Sequence, residues 1–209
     1  TTTVAAIGLE NDRRWIVLDE AGDQVTARES HDLLGLSVSS SGDGITLTAP
    51  DGTRLDVRTP GADAPLAPTG VSRIDRLPLA DDEAHAWLSA RLGRPVRLAH
   101  LADAGARAIG AAHGGLPGET MNLADAGPVL LVTEVSLDRV CELVEQETGE
   151  PWLDRDEARE RFRPNVVVDG ELPFAEDRWH RIRIGEVTWR VGELCDRCVM
   201  TTIDLGTLR

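Results

Sequence analysis

Two cysteines three positions apart, in Cys195-Asp196-Arg197-Cys198, stand directly before a β-prone run, Val199 to Asp204. Upstream lies Arg161-Phe162-Arg163-Pro164-Asn165, leading into Val166-Val167-Val168. A soft, ionisable thiol beside a fixed guanidinium suits a metal that carries an anionic organic cofactor. Spacing alone leaves Cys-x-x-Cys open as a redox pair, half of a zinc site, a disulfide or two packed thiols. Zinc needs two further ligands, and His31, His85, His100, His113 and His180 show no metal-like spacing. A thioredoxin-like pair opens a helix, whereas the residues after Cys198 read as a strand. Pro164 fixes the backbone ahead of the apolar run, so Arg163 is expected to point in a definite direction. Its plain alternative is a solvated strand-edge arginine.

Composition bounds what such a site can be. At 209 residues the chain can bury one good core or two small ones. No apolar run approaches the roughly 20 residues of a membrane span. A formal charge of −14 argues against nucleic acid, whose phosphates it would repel. The 22 basic residues are all arginine, so a phosphate can be held only by Arg, His or backbone N–H groups. Three cysteines make no disulfide framework, and Cys141 reads as a small core residue of a helix. The opening Thr1 to Gly8 has no basic segment ahead of its apolar residues, unlike a signal peptide, so a cytoplasmic protein is expected. The missing initiating Met suggests processing or a partial sequence.

The elements that must position these residues are mostly short strands. Arg14–Leu18 and Gln24–Arg28 flank a turn at Glu20–Asp23 and read as a hairpin. Leu36–Val38, Ile45–Thr48 and Arg54–Val57, separated by Gly-Asp-Gly and Asp-Gly turns, read as a β-meander. Residues 60–69 look like an exposed loop. A helix follows, capped by Asp81 or Asp82, with Ala84, Trp87, Leu88 and Leu92 on one face and a stop at Gly93. Pro95–Ala99 reads as a strand, and between about 102 and 122 no period holds, which places a domain boundary there. Val129–Val132 is then a strand and Ser136 the cap of a helix striped by Leu137, Val140, Cys141 and Val144. A short surface helix over 154–160 and strands at Asn165–Val168, Arg181–Ile184 and Val187–Val191 complete the pattern.

Five segments carry a family resemblance in order. They are Gly8-Leu9-Glu10-Asn11-Asp12-Arg13-Arg14-Trp15 with Val25-Thr26-Ala27-Arg28; Ala86-Trp87-Leu88-Ser89 with Leu92-Gly93-Arg94-Pro95; Asp125 to Leu137; Phe162-Arg163-Pro164-Asn165; and Phe174 to Trp179 with the Cys195–Cys198 motif. Together they resemble the MOSC family, the fold of molybdenum-cofactor sulfurase C-termini and of amidoxime-reducing molybdoenzymes and their bacterial relatives. The resemblance implies a mainly β fold with a few helices (α+β). A MOSC-type N-terminal β domain would cover 1–105 and a MOSC β-barrel domain 106–209, with its C-terminal strands missing.

By the same resemblance Cys198 is the molybdenum ligand and catalytic centre, with Cys195 beside the metal or simply packed rather than a ligand. Arg13 would hold the terminal phosphate of a molybdopterin cofactor, with Arg28 a weaker second. Arg163, Asn165, Asp125, Ala126, Gly127, Asp196 and Arg197 would line the cofactor. In the residues' own terms Asp125 is an ordinary turn residue, and Arg13 and Arg28 could be surface ion pairs of little energetic weight. The implied activity is reduction of a small N-hydroxylated substrate, with electrons from an external ferredoxin-, flavin- or cytochrome-type partner. Two alternatives remain: a sulfurtransferase carrying a persulfide on Cys198, and a non-catalytic binding module. The sequence starts after the place of the family's Pro-Val-Lys-Ser segment, whose lysine helps hold the phosphate. Leu194 and Asp196 replace residues commonly Pro or Ala and a small neutral group, so an anionic substrate would be disfavoured.

Overall fold

A computed structural model describes residues 3–103, 105–151 and 153–208. The expectations attached to Thr1, Thr2 and Arg209 lie outside that set. The chain divides into two units: unit 1 is Thr1–Ala108, Gly118–Asp125 and Asp204–Arg209, and unit 2 is Ile109–Pro117 and Ala126–Ile203.

Unit 1 begins with a small antiparallel ladder, β1 (Val4–Ala5) on β2 (Gly8–Leu9). The pair β3 (Trp15–Leu18) and β9 (Arg97–His100) is the centre of the unit, antiparallel with Val17 opposite Leu98. Alternation sends its two faces to two clusters. Ile16, Leu18, Ala99 and Leu101 pack with Ile74 and Leu77. Trp15, Val17, Leu98 and Val96 face Val25, Ile45, Leu47 and Val57. Of those last four, all but Val25 come from the meander β4 (Ser37–Ser41), β5 (Gly44–Thr48) and β6 (Arg54–Arg58), which forms as expected. Gly44 is required there, since a Cβ would stand 2.0 Å from the Val57 carbonyl oxygen.

Helix α1 (Asp82–Leu92) seals the second cluster with Ala84, Leu88 and Leu92. Asp81 caps it by accepting from the Ala84 N–H at 2.9 Å, and Gly93, at φ 63°, ends it in the left-handed region. Two expectations fail in this unit. The stretch 60–69 is not all loop, because β7 (Leu66–Pro68) pairs with β8 (Arg76–Pro78), burying Ala67 against Leu77. The hairpin after β3 shrinks to one bridge, Leu18 to Gln24, because the Glu29 and Ser30 N–H groups turn back onto the Thr26 carbonyl.

Unit 2 is built on a parallel pair, β10 (Leu131–Thr133) with β11 (Val166–Val168), joined through α2 (Glu134–Thr148) and α3 (Arg155–Phe162). The cap of α2 is Thr133, not Ser136: the Thr133 Oγ1 accepts from the Ser136 N–H at 3.2 Å. Ser136 lies inside the first turn, where its buried hydroxyl instead accepts from the Phe174 N–H at 2.7 Å. Helix α3 opens with a capping box formed by Asp154 and Glu157. Glu134 and Asp138 of α2 hold Arg155 and Arg159 of α3. Cys141 is half-buried rather than core, because its face of α2 looks across to the start of α3. The hairpin β12 (Arg181–Ile184) and β13 (Val187–Arg190) turns on Gly185 at φ 60°. The run after Cys198 is not a strand but a 3-10 helix, Val199–Thr202. Both threonines there bond back to carbonyls three residues earlier, an alternative to a ladder.

Candidate functional site

In unit 2, residues 191–198 form neither helix nor strand, and 192–198 are exposed. Cys198 ends this segment and caps the 3-10 helix, its carbonyl accepting from the Thr201 N–H and Oγ1, each at 3.2 Å. Its backbone is therefore fixed while its thiol is exposed, unbridged and without a hydrogen bond among the described residues. Cys195 is also free and exposed, and its sulfur accepts from Arg197 Nη1 at 3.2 Å. The Arg197 guanidinium also donates to the Phe162 carbonyl at 2.7 Å and lies 5.1 Å from the centre of the Phe162 ring. Asp196 is exposed, and its carbonyl lies 3.6 Å from the Cys195 sulfur. No turn or bend folds Cys195 onto Cys198, which argues against a closed redox pair.

Arg163 follows Phe162 directly, as the residue that closes α3. It is exposed and sits at φ 52°, with its N–H on the Arg159 carbonyl at 2.8 Å. The left-handed region penalises any residue with a Cβ, and the residue before a proline normally favours extended backbone. Asn165 is tied to the residue that precedes β10: its N–H donates to the Leu130 carbonyl at 2.8 Å and its side-chain oxygen accepts from the Leu130 N–H at 3.0 Å. Gly127 is exposed, and a Cβ there would meet open space; Ala126 is half-buried.

Unit 1 gathers the other three candidates. Arg13 holds φ 47°, pairs with Asp12 at 2.5 Å, and its carbonyl accepts from the Leu123 N–H at 2.9 Å. Asp125 follows two residues later and stands 4.0 Å from Arg28. Two residues that the sequence motifs do not include hold this arrangement. Asn122 is fully buried and donates to the Asp12 carbonyl at 3.1 Å. Arg107, only 5% exposed, donates to the Asn122 carbonyl at 2.8 Å and reaches Ala124 and Ser72 as well. His100, beside Arg14, has its pKa pushed down to about 4 by burial first and by the Arg14 charge second. Asn122 and Arg107 fall in the aperiodic stretch, where only the improbability of a buried charge in a loop could have flagged them.

Residues 1–95 match the MOSC N-terminal beta barrel domain, and residues 118–209 match the MOSC domain. The chain carries a MOSC N-terminal domain followed by a MOSC domain. It is 30% identical over 215 residues to mitochondrial amidoxime-reducing component 1 of Homo sapiens, covering 97% of this chain and 60% of that protein. The same component of Mus musculus is 31% identical over 204 residues, covering 94% and 56%. Molybdenum cofactor sulfurase of Danio rerio is 28% identical over 218 residues, covering 96% of this chain and 25% of that protein. The MOSC chain thus spans about 60% of the human component and about a quarter of the sulfurase. The α+β architecture and the domain order follow the resemblance drawn from the five segments.

The donor set fits a pterin-borne molybdenum in its chemistry. A free thiol on a fixed backbone is a soft ligand, and arginines held at positive φ suit an anionic group. Among the described residues no cluster of three or more His, Cys, Asp or Glu side chains could hold a metal by itself. No helix among them is long and apolar enough to cross a membrane.

Proposed function

We propose that this MOSC protein binds the molybdenum cofactor and reduces small N-hydroxylated compounds. The observation that carries the reading is the Cys198 sulfur, exposed and unpartnered on an anchored backbone, at the position where the family motif places a ligand. The cofactor would supply an acceptor for the oxygen of an N–O bond. In the overall reaction two electrons and two protons enter, and an amine-type product and water leave.

The chain's own part is to bind and orient. Cys198 holds the metal. Arg13 and Arg28 exchange their carboxylate partners, Asp12 and Asp125, for phosphate oxygens, to which a planar guanidinium can offer two donors at once. Arg163 and the backbone at Ala126 and Gly127 line the cofactor, with Asp125, Asn165, Asp196 and Arg197 beside them. The Asp196 carboxylate disfavours anionic substrates by like-charge repulsion. Electrons come from a ferredoxin-, flavin- or cytochrome-type protein. We place the chemistry in the cytoplasm, in keeping with three unbridged cysteines, and the boundary between the two domains near residues 105 and 106.

Metal analysis of protein purified from a host that makes the cofactor tests the reading. Molybdenum near one atom per chain is expected, retained in Cys195→Ala and lost in Cys198→Ala. Metal-free protein with sulfane sulfur on Cys198 would instead point to sulfur transfer, and neither metal nor labile sulfur to a binding module.

A further inference from the structure

Val191 continues the β12–β13 hairpin by donating to the His180 carbonyl at 3.0 Å; beyond it, residues 192–198 are exposed and pair with no strand. A segment of this kind does not hold a side chain in place by itself. Two anchors within unit 2 grip it, one before the cysteine motif and one inside it.

The first anchor precedes the cysteines. The 3-10 helix Ala111–His113 ends at Gly114, whose φ is 72°. A Cβ on Gly114 would stand 2.6 Å from the Gly192 carbonyl oxygen, and one on Gly192 would stand 3.3 Å from the His113 carbonyl oxygen. The two backbones therefore lie against each other because both positions are glycine. Next to this approach His113 Nδ1 meets Glu193 Oε1 at 2.9 Å. The second anchor sits between the cysteines. Arg197 donates to the Phe162 carbonyl, lies over the Phe162 ring and touches the Cys195 sulfur. Phe162 is the last residue of α3, and Arg163 is the next residue. One guanidinium thus joins the segment that ends in Cys198 to the turn that presents Arg163.

We infer that His113 and Arg197 are positioning residues, two anchors that set where Cys198 holds its sulfur. The inference rests on Cys198 being the metal ligand. It also gives a purpose to the Ala- and Gly-rich stretch around residues 109–117, in which the sequence shows no period: small residues are what let it lie against Gly192.

The test is run first on cofactor-free protein, by amide hydrogen exchange at Val191 and Thr201, the hydrogen-bonded amides that flank residues 192–198, and by iodoacetamide alkylation of Cys195 and Cys198. Arg197→Ala is expected to speed exchange there on the order of tenfold, because it removes a charged hydrogen bond and the stacking on Phe162 together. His113→Ala and Glu193→Gln should speed it about threefold, the scale of a half-exposed pair. Arg197→Lys should recover only part of the protection, since an ammonium cannot serve carbonyl and ring in one plane. Exchange in β5 of unit 1 should be unchanged in every variant, which separates loosening of the segment from unfolding. In the loaded protein, Arg197→Ala should release molybdenum to a chelator faster than Cys195→Ala does. Unchanged exchange and alkylation in both Arg197→Ala and His113→Ala would overturn the anchors. Wild-type protein that holds no molybdenum, with the exchange differences intact, would keep the anchors and overturn the ligand reading instead.

Discussion

Arg13 and Arg163, two of the arginines assigned to the cofactor, both hold left-handed backbone, at φ 47° and 52°. Only four other non-glycine residues among those described do so: Asn11, Arg73, Phe174 and Leu208. Keeping an arginine where glycine is favoured costs on the order of 1 kcal/mol. Arg163→Gly should therefore stabilise the protein by about 0.5–1 kcal/mol in denaturant unfolding while lowering cofactor occupancy. A loss of both stability and occupancy would mean that the arginine serves the fold. His100 makes a second residue-scale prediction. Its folded pKa of about 4 lies below the ordinary 6.5, so the unfolded chain takes up a proton that the folded chain refuses. Stability is unaffected above pH 6.5 and falls as pH drops toward 4, by up to about 3 kcal/mol. His100→Phe, which keeps a ring against Trp15, should flatten that acid-side slope. Cys141 has its thiol pushed up by burial and then by Asp138, so it should alkylate far more slowly than Cys195 or Cys198.

Among the elements, the ones held by local chemistry are those a reader of the sequence can find. Helix α1 has an acidic cap, an apolar face and a glycine stop within about a dozen residues, and it forms where these place it. Leu88→Ala should cost about 2–5 kcal/mol, read as a shift of the denaturation midpoint, because Leu88 is 1% exposed within the cluster that α1 seals. Elements decided by distant partners are less legible. β7 exists because Ala67 meets Leu77, and a single buried alanine beside Pro68 leaves no periodic trace. The cap of α2 falls on Thr133 because Ser136 is claimed by Phe174, far along the chain. The β-branched run after Cys198 misleads in the opposite direction: its threonines bond to their own neighbours and close a 3-10 turn. The candidate site follows the same division. The motif residues are readable from their order, whereas Asn122 and Arg107, which hold the Asp12–Arg13 turn and the Asp125 loop, act through tertiary bonds alone.

At the scale of the whole chain, the two units differ in what holds them. Unit 1 carries two apolar clusters on either side of the β3–β9 ladder. In unit 2 the buried apolar residues among those described are Leu137, Ala158 and Ile203, and the unit relies on capped helices and ion pairs between α2 and α3. Exposed ion pairs of this sort contribute little each. Slow amide exchange should therefore concentrate in β3, β5 and β9, with α2 and α3 opening at lower free energy; equal protection in both would contradict this division. The central claim is that one exposed sulfur of unit 2 binds molybdenum. Molybdenum-edge X-ray absorption on loaded protein measures that bond most directly. Cys198→Ser is expected to lose one sulfur neighbour from the metal's coordination sphere while Cys195→Ser keeps the wild-type spectrum. A spectrum unchanged by Cys198→Ser, or altered instead by Cys195→Ser, would contradict it.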